Sequence, residues 1–134
     1  MHLDLPEIQV ANSRSVGVDI ISIERIRRAV SNTKGFTERI LTVHERQEMQ
    51  KKPSPEHYLA KRFAAKEAVG KALGTGIGSG VSWQDIEVSN DEKGAPLVSL
   101  HGRAREILQE IGGSHCLLSL SDEREMAIAF AVVT

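Results

Sequence analysis

The chain has 134 residues, of which 40% are hydrophobic and 26% charged, and this suits one compact domain with its own core. Its 17 basic and 18 acidic residues give a net charge of -1, which argues against a nucleic-acid-binding or polybasic membrane protein. A single cysteine excludes an intramolecular disulfide and a cysteine-rich zinc site. No apolar run approaches the about 20 residues of a membrane span and no signal peptide is apparent, so we expect a cytoplasmic protein.

The first half of the chain is predicted to contain one strand followed by two helices. Residues 1–15 are interpreted as an N-terminal extension and residues 16–134 as one domain. An apolar, β-branched run predicts a buried strand over 16–21. Ser22 is a suitable N-cap for the next helix, whose expected apolar face consists of Ile23, Ile26 and Val30. The residues Thr-Val-His-Glu at 42–45 have the spacing of a capping box and predict a short charged helix.

The second half is predicted to contain a long helix, a glycine loop and four strands. Pro55 marks the start of the longest helix, over 55–73, and Gly74 ends it. The remaining elements are strands at 81–89 and 95–101, a helix at 103–111, and strands at 116–121 and 126–133. The order β-α-α-α-β-β-α-β-β indicates an α+β fold with a mainly antiparallel sheet packed with helices.

Asp19 interrupts the otherwise apolar first strand. Burial of a carboxylate costs several kcal/mol unless the group is paired, hydrogen-bonded or bound to a metal. The structural interpretation is an aspartate that caps a helix or pairs with an arginine. The functional interpretation is a metal ligand.

The predicted helix over 55–73 carries a second polar cluster. Phe63, Glu67 and Lys71 have the spacing i, i+4, i+8 and share one stripe, and Arg62 and Lys66 form the adjacent stripe. A solvated salt bridge between Glu67 and Lys71 is the structural alternative, and it contributes only tenths of a kcal/mol. Small residues between these polar positions would allow another backbone or a ligand to approach the helix closely. They are Ala64, Ala65, Ala68 and Gly70.

Four glycines alternate with other residues over 74–80. The spacing is neither the dinucleotide-binding fingerprint nor a phosphate-binding P-loop, and alone it indicates a sharp bend or a close approach. Two carboxylates, three nearby cations and a loop with exposed backbone amides together suit Mg²⁺ and a phosphate-bearing donor, because Mg²⁺ commonly takes one or two carboxylates plus phosphate oxygens. This inventory predicts phosphoryl-type transfer.

Five sequence blocks occur in order along the chain: GVDI at 17–20, RILT at 39–42, KRFAAKEA at 61–68, GTGIG at 74–78 and QDIEV at 84–88. In this combination the chain resembles the holo-[acyl-carrier-protein] synthases, the short-chain 4′-phosphopantetheinyl transferases, over most of its length from residue 16. The resemblance implies the 4′-phosphopantetheinyl transferase fold and a homotrimer with active sites between subunits. It implies that the 4′-phosphopantetheine arm of coenzyme A moves onto a serine of apo acyl carrier protein, with release of adenosine 3′,5′-bisphosphate, in support of fatty acid biosynthesis.

The resemblance also implies roles for single positions. Asp19 and Glu67 match the magnesium ligands of the family, and Lys71 matches a lysine near the transferred phosphate. Glu67 is the candidate base for the serine hydroxyl, and Lys71 would stabilise or protonate the leaving phosphate. The positions that match the coenzyme A site are Arg62, Phe63, Lys66, Gly74, Thr75, Gly76, Gly94 and Pro96. The last two are expected to come from a neighbouring subunit.

Basic residues of the first predicted helix are candidates for docking the carrier protein. Acyl carrier proteins are acidic, so a local basic patch would steer them. Arg25 matches a family position at the carrier-protein interface, and Arg28 is expected to share this docking role. The alternative is an ordinary solvated helix face.

Asp122 departs from the family pattern, because many members have a histidine there, near the 3′-phosphate of coenzyme A. An aspartate would repel phosphate unless it points away or orients a cation. A non-catalytic module that binds carrier protein or nucleotide is therefore a second hypothesis, although Asp19, Glu67 and Lys71 together argue against it. A Mg²⁺-dependent phosphohydrolase is a third, and it would need an activated water and no docking surface.

Overall fold

A computed structural model describes residues 13–134, so the N-terminal extension lies outside the described residues up to position 12. The elements in chain order are β1 (Ser15–Ser22), α1 (Ile23–Asn32), α2 (Phe36–Ile40), α3 (Val43–Met49), α4 (Pro55–Leu73), a short 3-10 helix (Trp83–Asp85), β2 (Ile86–Asn90), β3 (Pro96–Leu100), α5 (Gly102–Glu110), β4 (Cys116–Asp122) and β5 (Met126–Val133).

The strands form two antiparallel sheets. One has three strands in the order β1-β5-β4, and the other is the hairpin of β2 and β3. The register of the larger sheet pairs Asp19 with Ala129 and Ala129 with Leu120. The prediction of an α+β fold with antiparallel strands is therefore confirmed, although the strands divide into two sheets.

Helix α4 packs across the inner face of the three-stranded sheet. Alternate residues of β5 are fully buried there, and three of them are alanines: Ala127, Ala129 and Ala131. The helix contributes small residues of its own, so its backbone approaches the strands closely. At Gly17 of β1 the contact is so tight that an added Cβ would lie 2.0 Å from the carbonyl oxygen of Ala68. This contact fixes β1 against α4 two residues before Asp19.

The opposite side of the three-stranded sheet, the outer sheet face, exposes apolar side chains. The side chains of Val16, Val18 and Ile20 on β1 are 55–57% exposed. Ile128 and Phe130 of β5 and Leu117 of β4 extend the same surface. Strand β1 was expected to be buried, and only its α4-facing side is.

Most predicted elements are confirmed, and two with unchanged bounds: the helix over 55–73 and the strand over 126–133. The capping box of Thr42 and Glu45 is also present. The sequence did not predict α2, and the start of the predicted strand 81–89 is a 3-10 helix instead. Val30 is 43% exposed, so the expectation that it faces the core is wrong. Within residues 13–134, no helix is long and apolar enough to cross a membrane.

Candidate active site

Asp19, Glu67 and Lys71 converge where β1 crosses α4; we call these three residues the carboxylate cluster. On β1, Asp19 alternates with the outward side chains and faces the helix between buried Gly17 and Ile21. The Lys71 ammonium donates to the Asp19 carboxylate at 3.1 Å and to the carbonyl of Val18 at 2.9 Å. The Asp19 side chain is only 16% exposed. Within residues 13–134, Asp19 therefore pairs with a lysine across the strand–helix contact, and it neither caps a helix nor binds an arginine.

Glu67 lies close enough to Asp19 for the two carboxylates to interact. Partial burial raises the pKa of Glu67, the negative charge of Asp19 raises it further, and Lys71 acts in the opposite direction. Among the described ion pairs, Lys71 joins Asp19 and not Glu67, so the salt bridge between Glu67 and Lys71 that was the structural alternative is absent there. Two carboxylates and one ammonium share a partly desolvated site.

The donor set of this cluster suits a hard divalent cation. Mg²⁺ usually takes one or two protein carboxylates and completes an octahedron with water and phosphate oxygens. No group of three or more histidine, cysteine, aspartate or glutamate side chains converges anywhere within residues 13–134. Partial burial and the negative charge of Asp19 raise the pKa of Glu67. A Mg²⁺ ion bound between the two carboxylates would stabilise their charged forms, so the residues present fit this metal.

The glycine loop follows the cluster at the C-terminal end of α4. Gly74 ends the helix in the left-handed conformation at φ 85°. The backbone N–H groups of Thr75 and Gly76 both donate to the carbonyl of Gly70, and that of Gly78 donates to Val81. These three amides are therefore engaged within the loop.

Lys66 is in the core and cannot line a ligand site with its side chain. Its exposure is 0%, and its ammonium donates to the Glu45 carboxylate at 2.7 Å and to the carbonyls of Ile40 and Trp83. Burial lowers the pKa of Lys66, and the Glu45 charge opposes this shift. The resemblance assigns Lys66 to the coenzyme A site, whereas in this structure its ammonium is engaged inside the core and only Arg62 of that stripe reaches a cleft.

Phe63 belongs to an aromatic group beside the carboxylate cluster. Its ring centroid lies 6.1 Å from that of Phe36 and 4.9 Å from that of Trp83. Phe63 stays partly exposed on the stripe that it shares with Glu67 and Lys71. It therefore offers an apolar surface next to the charged residues.

Arg62 and Gly94 lie together in a second place, a cleft of about 640 Å³ between α4, the β2–β3 hairpin and the end of β4. We call it the cationic cleft after the two cations that α4 contributes, Lys61 and Arg62. Its lining also includes the basic residues Lys52 and His57 and the acidic residues Asp91, Glu92 and Asp122. The guanidinium of Arg62 lies 4.4 Å from the Tyr58 ring and donates to Asn90 at 2.7 Å. Arg62 Nε and Tyr58 Oη are buried without a hydrogen-bond partner among the described residues.

The carboxylate cluster and the cationic cleft do not form one pocket in a single chain. Arg62 and Glu67 are five residues apart on α4, which is about 140° around the helix. The lining of the cleft includes none of the three cluster residues. Pro96 lines a separate groove with Leu97 and residues at the start of β4. The structure thus brings together Asp19, Glu67 and Lys71, and separately Arg62 and Gly94.

The basic side chains predicted for docking are exposed on α1. Arg25 and Arg28 line one shallow groove with Ala29, Asn32 and Thr33. Arg27, by contrast, lies 3.6 Å from Glu24 in an ion pair. In the described part of the chain neither Arg25 nor Arg28 has a carboxylate within ion-pair distance, so both keep their charge available.

Lys61 is the cleft residue that the sequence did not single out. Its ammonium lies 3.5 Å from the Asp122 carboxylate, which comes from the end of β4. No spacing rule connects positions 61 residues apart, so this pair could not be found before the fold. In this chain Asp122 therefore faces a cation, which is the contact that the second of its two alternatives requires.

Comparisons with known proteins agree with this geometry. A family model described as the 4′-phosphopantetheinyl transferase superfamily matches residues 15–131. The chain is 50% identical over 115 residues to a holo-[acyl-carrier-protein] synthase from Vibrio atlanticus, covering 85% of this chain and 91% of that protein. The crystal structure of the enzyme from Neisseria meningitidis aligns with a TM-score of 0.83 and 41% identity, over 91% of this chain and 98% of that one.

A second solved structure, the Helicobacter pylori holo-[acyl-carrier-protein] synthase in complex with coenzyme A, aligns with a TM-score of 0.77 and 37% identity. It covers 89% of this chain and 99% of that chain. The match spans nearly the whole length of each relative, and the family model covers β1 and α4, the strand and the helix that carry the carboxylate cluster. The chain therefore belongs to the 4′-phosphopantetheinyl transferase superfamily.

Proposed function

We propose that this chain is a Mg²⁺-dependent transferase that moves the 4′-phosphopantetheine arm of coenzyme A onto a serine of apo acyl carrier protein. The observation that carries the proposal is the convergence of Asp19, Glu67 and Lys71 at the crossing of β1 and α4. The relatives named holo-[acyl-carrier-protein] synthase and the coenzyme A complex of one of them support this choice. A cytoplasmic location and a role in fatty acid biosynthesis are part of the proposal.

Asp19 and Glu67 would hold the metal ion. A bound Mg²⁺ would supply charge neutralisation for the diphosphate of the donor. The remaining work falls to residues of the chain. Lys71 would place a positive charge beside the diphosphate oxygens of the donor. Its contacts with Asp19 and Val18 fix the position of its ammonium.

The transfer itself moves one phosphoryl group and one proton. The serine oxygen attacks the β-phosphorus of coenzyme A, the bond from this phosphorus to the bridging oxygen breaks, and adenosine 3′,5′-bisphosphate leaves. Glu67, directly or through a water molecule, would accept the serine proton, and its side chain is partly exposed on the same face as Lys71. Lys71 stabilises the negative charge that develops on the leaving phosphate.

Coenzyme A would span the two places that one chain keeps apart. Its diphosphate belongs at the carboxylate cluster, and Arg62 with Gly94 would bind the nucleotide end in the cationic cleft. Phe63 and the loop residues Gly74, Thr75 and Gly76 stay in the proposal as neighbours of the diphosphate site, together with Pro96 as a residue from the adjacent subunit. The cluster of one subunit and the cleft of the next would form one active site.

The homotrimer that the resemblance implies is also part of the proposal. The outer sheet face exposes Val16, Val18 and Ile20 beside Ile128 and Phe130. A contiguous apolar surface of this kind is typical of an association surface. Packing of three such faces around one axis would bury them.

Carrier protein would dock on α1. Arg25 and Arg28 share a groove and lack internal ion-pair partners among the described residues, which suits an acidic partner. The overall charge of -1 does not oppose this, because steering depends on the local charge.

The test is to incubate the protein with coenzyme A, Mg²⁺ and apo acyl carrier protein, and to weigh the carrier protein by mass spectrometry. A phosphopantetheine adduct is the expected result. A stable complex without an adduct would favour the binding module, and breakdown of coenzyme A without an adduct would favour the phosphohydrolase.

A further inference from the structure

Helix α2 is too short to hold its position by its own hydrogen bonds. It has five residues, Phe36–Ile40, and its N-cap Gly35 makes no side-chain hydrogen bond. Helices shorter than about 12 residues are marginal in water unless other parts of the protein support them. Contacts with other elements must therefore hold α2 in place.

Gln84 binds three carbonyl groups at the C-terminal end of α2. Its side-chain nitrogen donates to the carbonyls of Glu38 and Arg39 at 3.1 Å and to that of Leu41 at 2.8 Å. An amide nitrogen has two N–H groups, so at least one of them is shared between carbonyls. Gln84 is the first residue of the QDIEV block and comes from the 3-10 helix, 43 to 46 positions later in the chain.

Two further side chains bind the same helix end. Arg46 of α3 donates to two of the carbonyls that Gln84 binds, at 3.3 and 2.8 Å. Lys66 of α4 donates to the carbonyl of Ile40 at 2.6 Å. We call the side chains of Gln84, Arg46 and Lys66 the α2 clamp. A helix end leaves its last carbonyls without partners in the helix, and here all four over 38–41 have a donor from another element.

Helix α2 lies between the α1 groove and the carboxylate cluster. Only residues 33–35 separate it from α1. The N–H of Phe36 donates to the carbonyl of Thr33 at 3.2 Å, and Thr33 lines the α1 groove that carrier protein would use. The Phe36 ring stacks on Phe63, which shares a stripe of α4 with Glu67. A movement of α2 would therefore change the position of the α1 groove relative to the cluster.

Gln84 is the member of the clamp that can be replaced without damage to the core. Its residue is exposed, whereas Arg46 is half-buried and Lys66 is fully buried. Loss of the Gln84 amide removes hydrogen bonds and opens no cavity. The carbonyl of Arg39 then loses its side-chain donor, while the other three carbonyls keep Arg46 or Lys66.

We propose that Gln84 is a positioning residue for transfer to carrier protein: it holds α2, and with it the C-terminal end of α1, at a fixed position relative to the carboxylate cluster. This inference rests on the proposed function and deepens it. The role needs no contact between Gln84 and the donor, so loss of Gln84 changes the use of carrier protein and not the binding of coenzyme A. Because Gln84 acts through α1, its effect must shrink when the docking charge of Arg25 is reversed.

The first measurement is amide hydrogen exchange, followed by mass spectrometry on the fragment that contains α2. Gln84→Leu removes both N–H donors and adds no charge, and Gln47→Leu is the matched control at an exposed glutamine of α3. We expect the α2 amides to exchange about tenfold faster in Gln84→Leu, as for the loss of one or two hydrogen bonds, with α4 unchanged. Gln84→Ala provides the same test if thermal unfolding shows that the leucine disturbs the fold.

The second measurement is the rate of carrier-protein modification with coenzyme A and Mg²⁺. Gln84→Leu should lower kcat/KM for apo carrier protein about three- to tenfold and leave KM for coenzyme A unchanged. Gln47→Leu should match wild type for both substrates. The same Gln84→Leu substitution should have a smaller effect in an Arg25→Glu background, because the docking contact that it supports is already lost there.

Three outcomes would overturn the inference. They are unchanged exchange of α2 in Gln84→Leu, equal increases in KM for both substrates, or wild-type kcat/KM for carrier protein although α2 exchanges faster. An undiminished effect in the Arg25→Glu background would indicate direct contact of Gln84 with carrier protein and would also contradict the positioning role. A wild type that forms no adduct would instead contradict the proposed function.

Discussion

The ammonium of Lys71 lies 3.1 Å from the carboxylate of Asp19, a residue 52 positions earlier in the chain. The contact exists because β1 crosses α4 with almost no space between the two backbones. Gly17 provides that closeness, since any side chain there would meet the carbonyl of Ala68. A residue with no functional group thus sets the position of two functional ones.

Replacement of Gly17 by alanine should damage both stability and catalysis. The new Cβ would lie 2.0 Å from the Ala68 oxygen and 2.7 Å from the Ala72 nitrogen, so β1 must move away from α4. We expect the free energy of unfolding to fall by about 1–3 kcal/mol or more in urea titrations, and kcat to fall with it. Gly35→Ala is the control. Gly35 has a φ of 78°, which is strained for alanine, so this variant should lose stability without a change in kcat. A Gly17→Ala protein with wild-type kcat would refute this role.

Lys66 should matter for stability and not for donor binding. Lys66→Met leaves the Glu45 carboxylate buried at 0% exposure without its cation, which should cost about 3–5 kcal/mol. The double variant Glu45→Gln with Lys66→Met removes the buried charge and should regain part of that loss. Equilibrium urea unfolding measures the free energy of unfolding of the single and the double variant. KM for coenzyme A, measured on the folded protein, should stay unchanged. A single variant within about 1 kcal/mol of wild type would contradict the buried-pair interpretation.

Arg25 should affect carrier protein and leave coenzyme A alone. Arg25→Glu reverses a charge in the α1 groove, and we expect KM for apo carrier protein to rise roughly three- to tenfold at low salt. High salt should reduce the difference in KM for apo carrier protein between Arg25→Glu and wild type. Lys51→Glu, at an exposed position paired with Glu48, is the control. Equal increases in KM for both substrates would remove the docking role.

The outer sheet face should hold three chains together. Val18→Glu places a charge at a position that is 55% exposed in one chain and would be buried in a trimer. Light scattering should give a trimer for wild type and smaller species for this variant, with loss of activity. Val43→Glu alters an equally exposed valine on α3, at 61%, and should stay trimeric and active. A monomeric wild type, or a trimeric Val18→Glu variant, would exclude this interface.

Local signals in the sequence located most elements because these signals act over a few residues. Pro55 and Gly74 fix the two ends of α4, and the side chains of Thr42 and Glu45 cap α3. Helix α2 has five residues and no side-chain cap hydrogen bond, so no comparable signal marks it. Strand β1 could be recognised, but not the exposure of one of its faces, which depends on which elements of the fold pack against it.

The site was predictable only where a residue type conflicts with its local pattern. Asp19 stands out in an apolar strand, and the resemblance to a family linked it to Glu67 and Lys71. The burial of Lys66, by contrast, could not be predicted from the local sequence. Its buried ammonium binds Glu45, which lies 21 residues away on another helix. Periodicity describes one face of one helix, and only the fold shows which element covers it.

The most direct test of the central claim is the rate at which wild type, Asp19→Asn and Glu67→Gln modify apo carrier protein with coenzyme A, measured by mass spectrometry with Mg²⁺ and after chelation. Both substitutions keep side-chain size and should leave the fold intact by circular dichroism. We predict that chelation stops the wild type and that each variant is slower by about 10²-fold or more with Mg²⁺ present. Wild-type rates in both folded variants would contradict a shared metal site at Asp19 and Glu67.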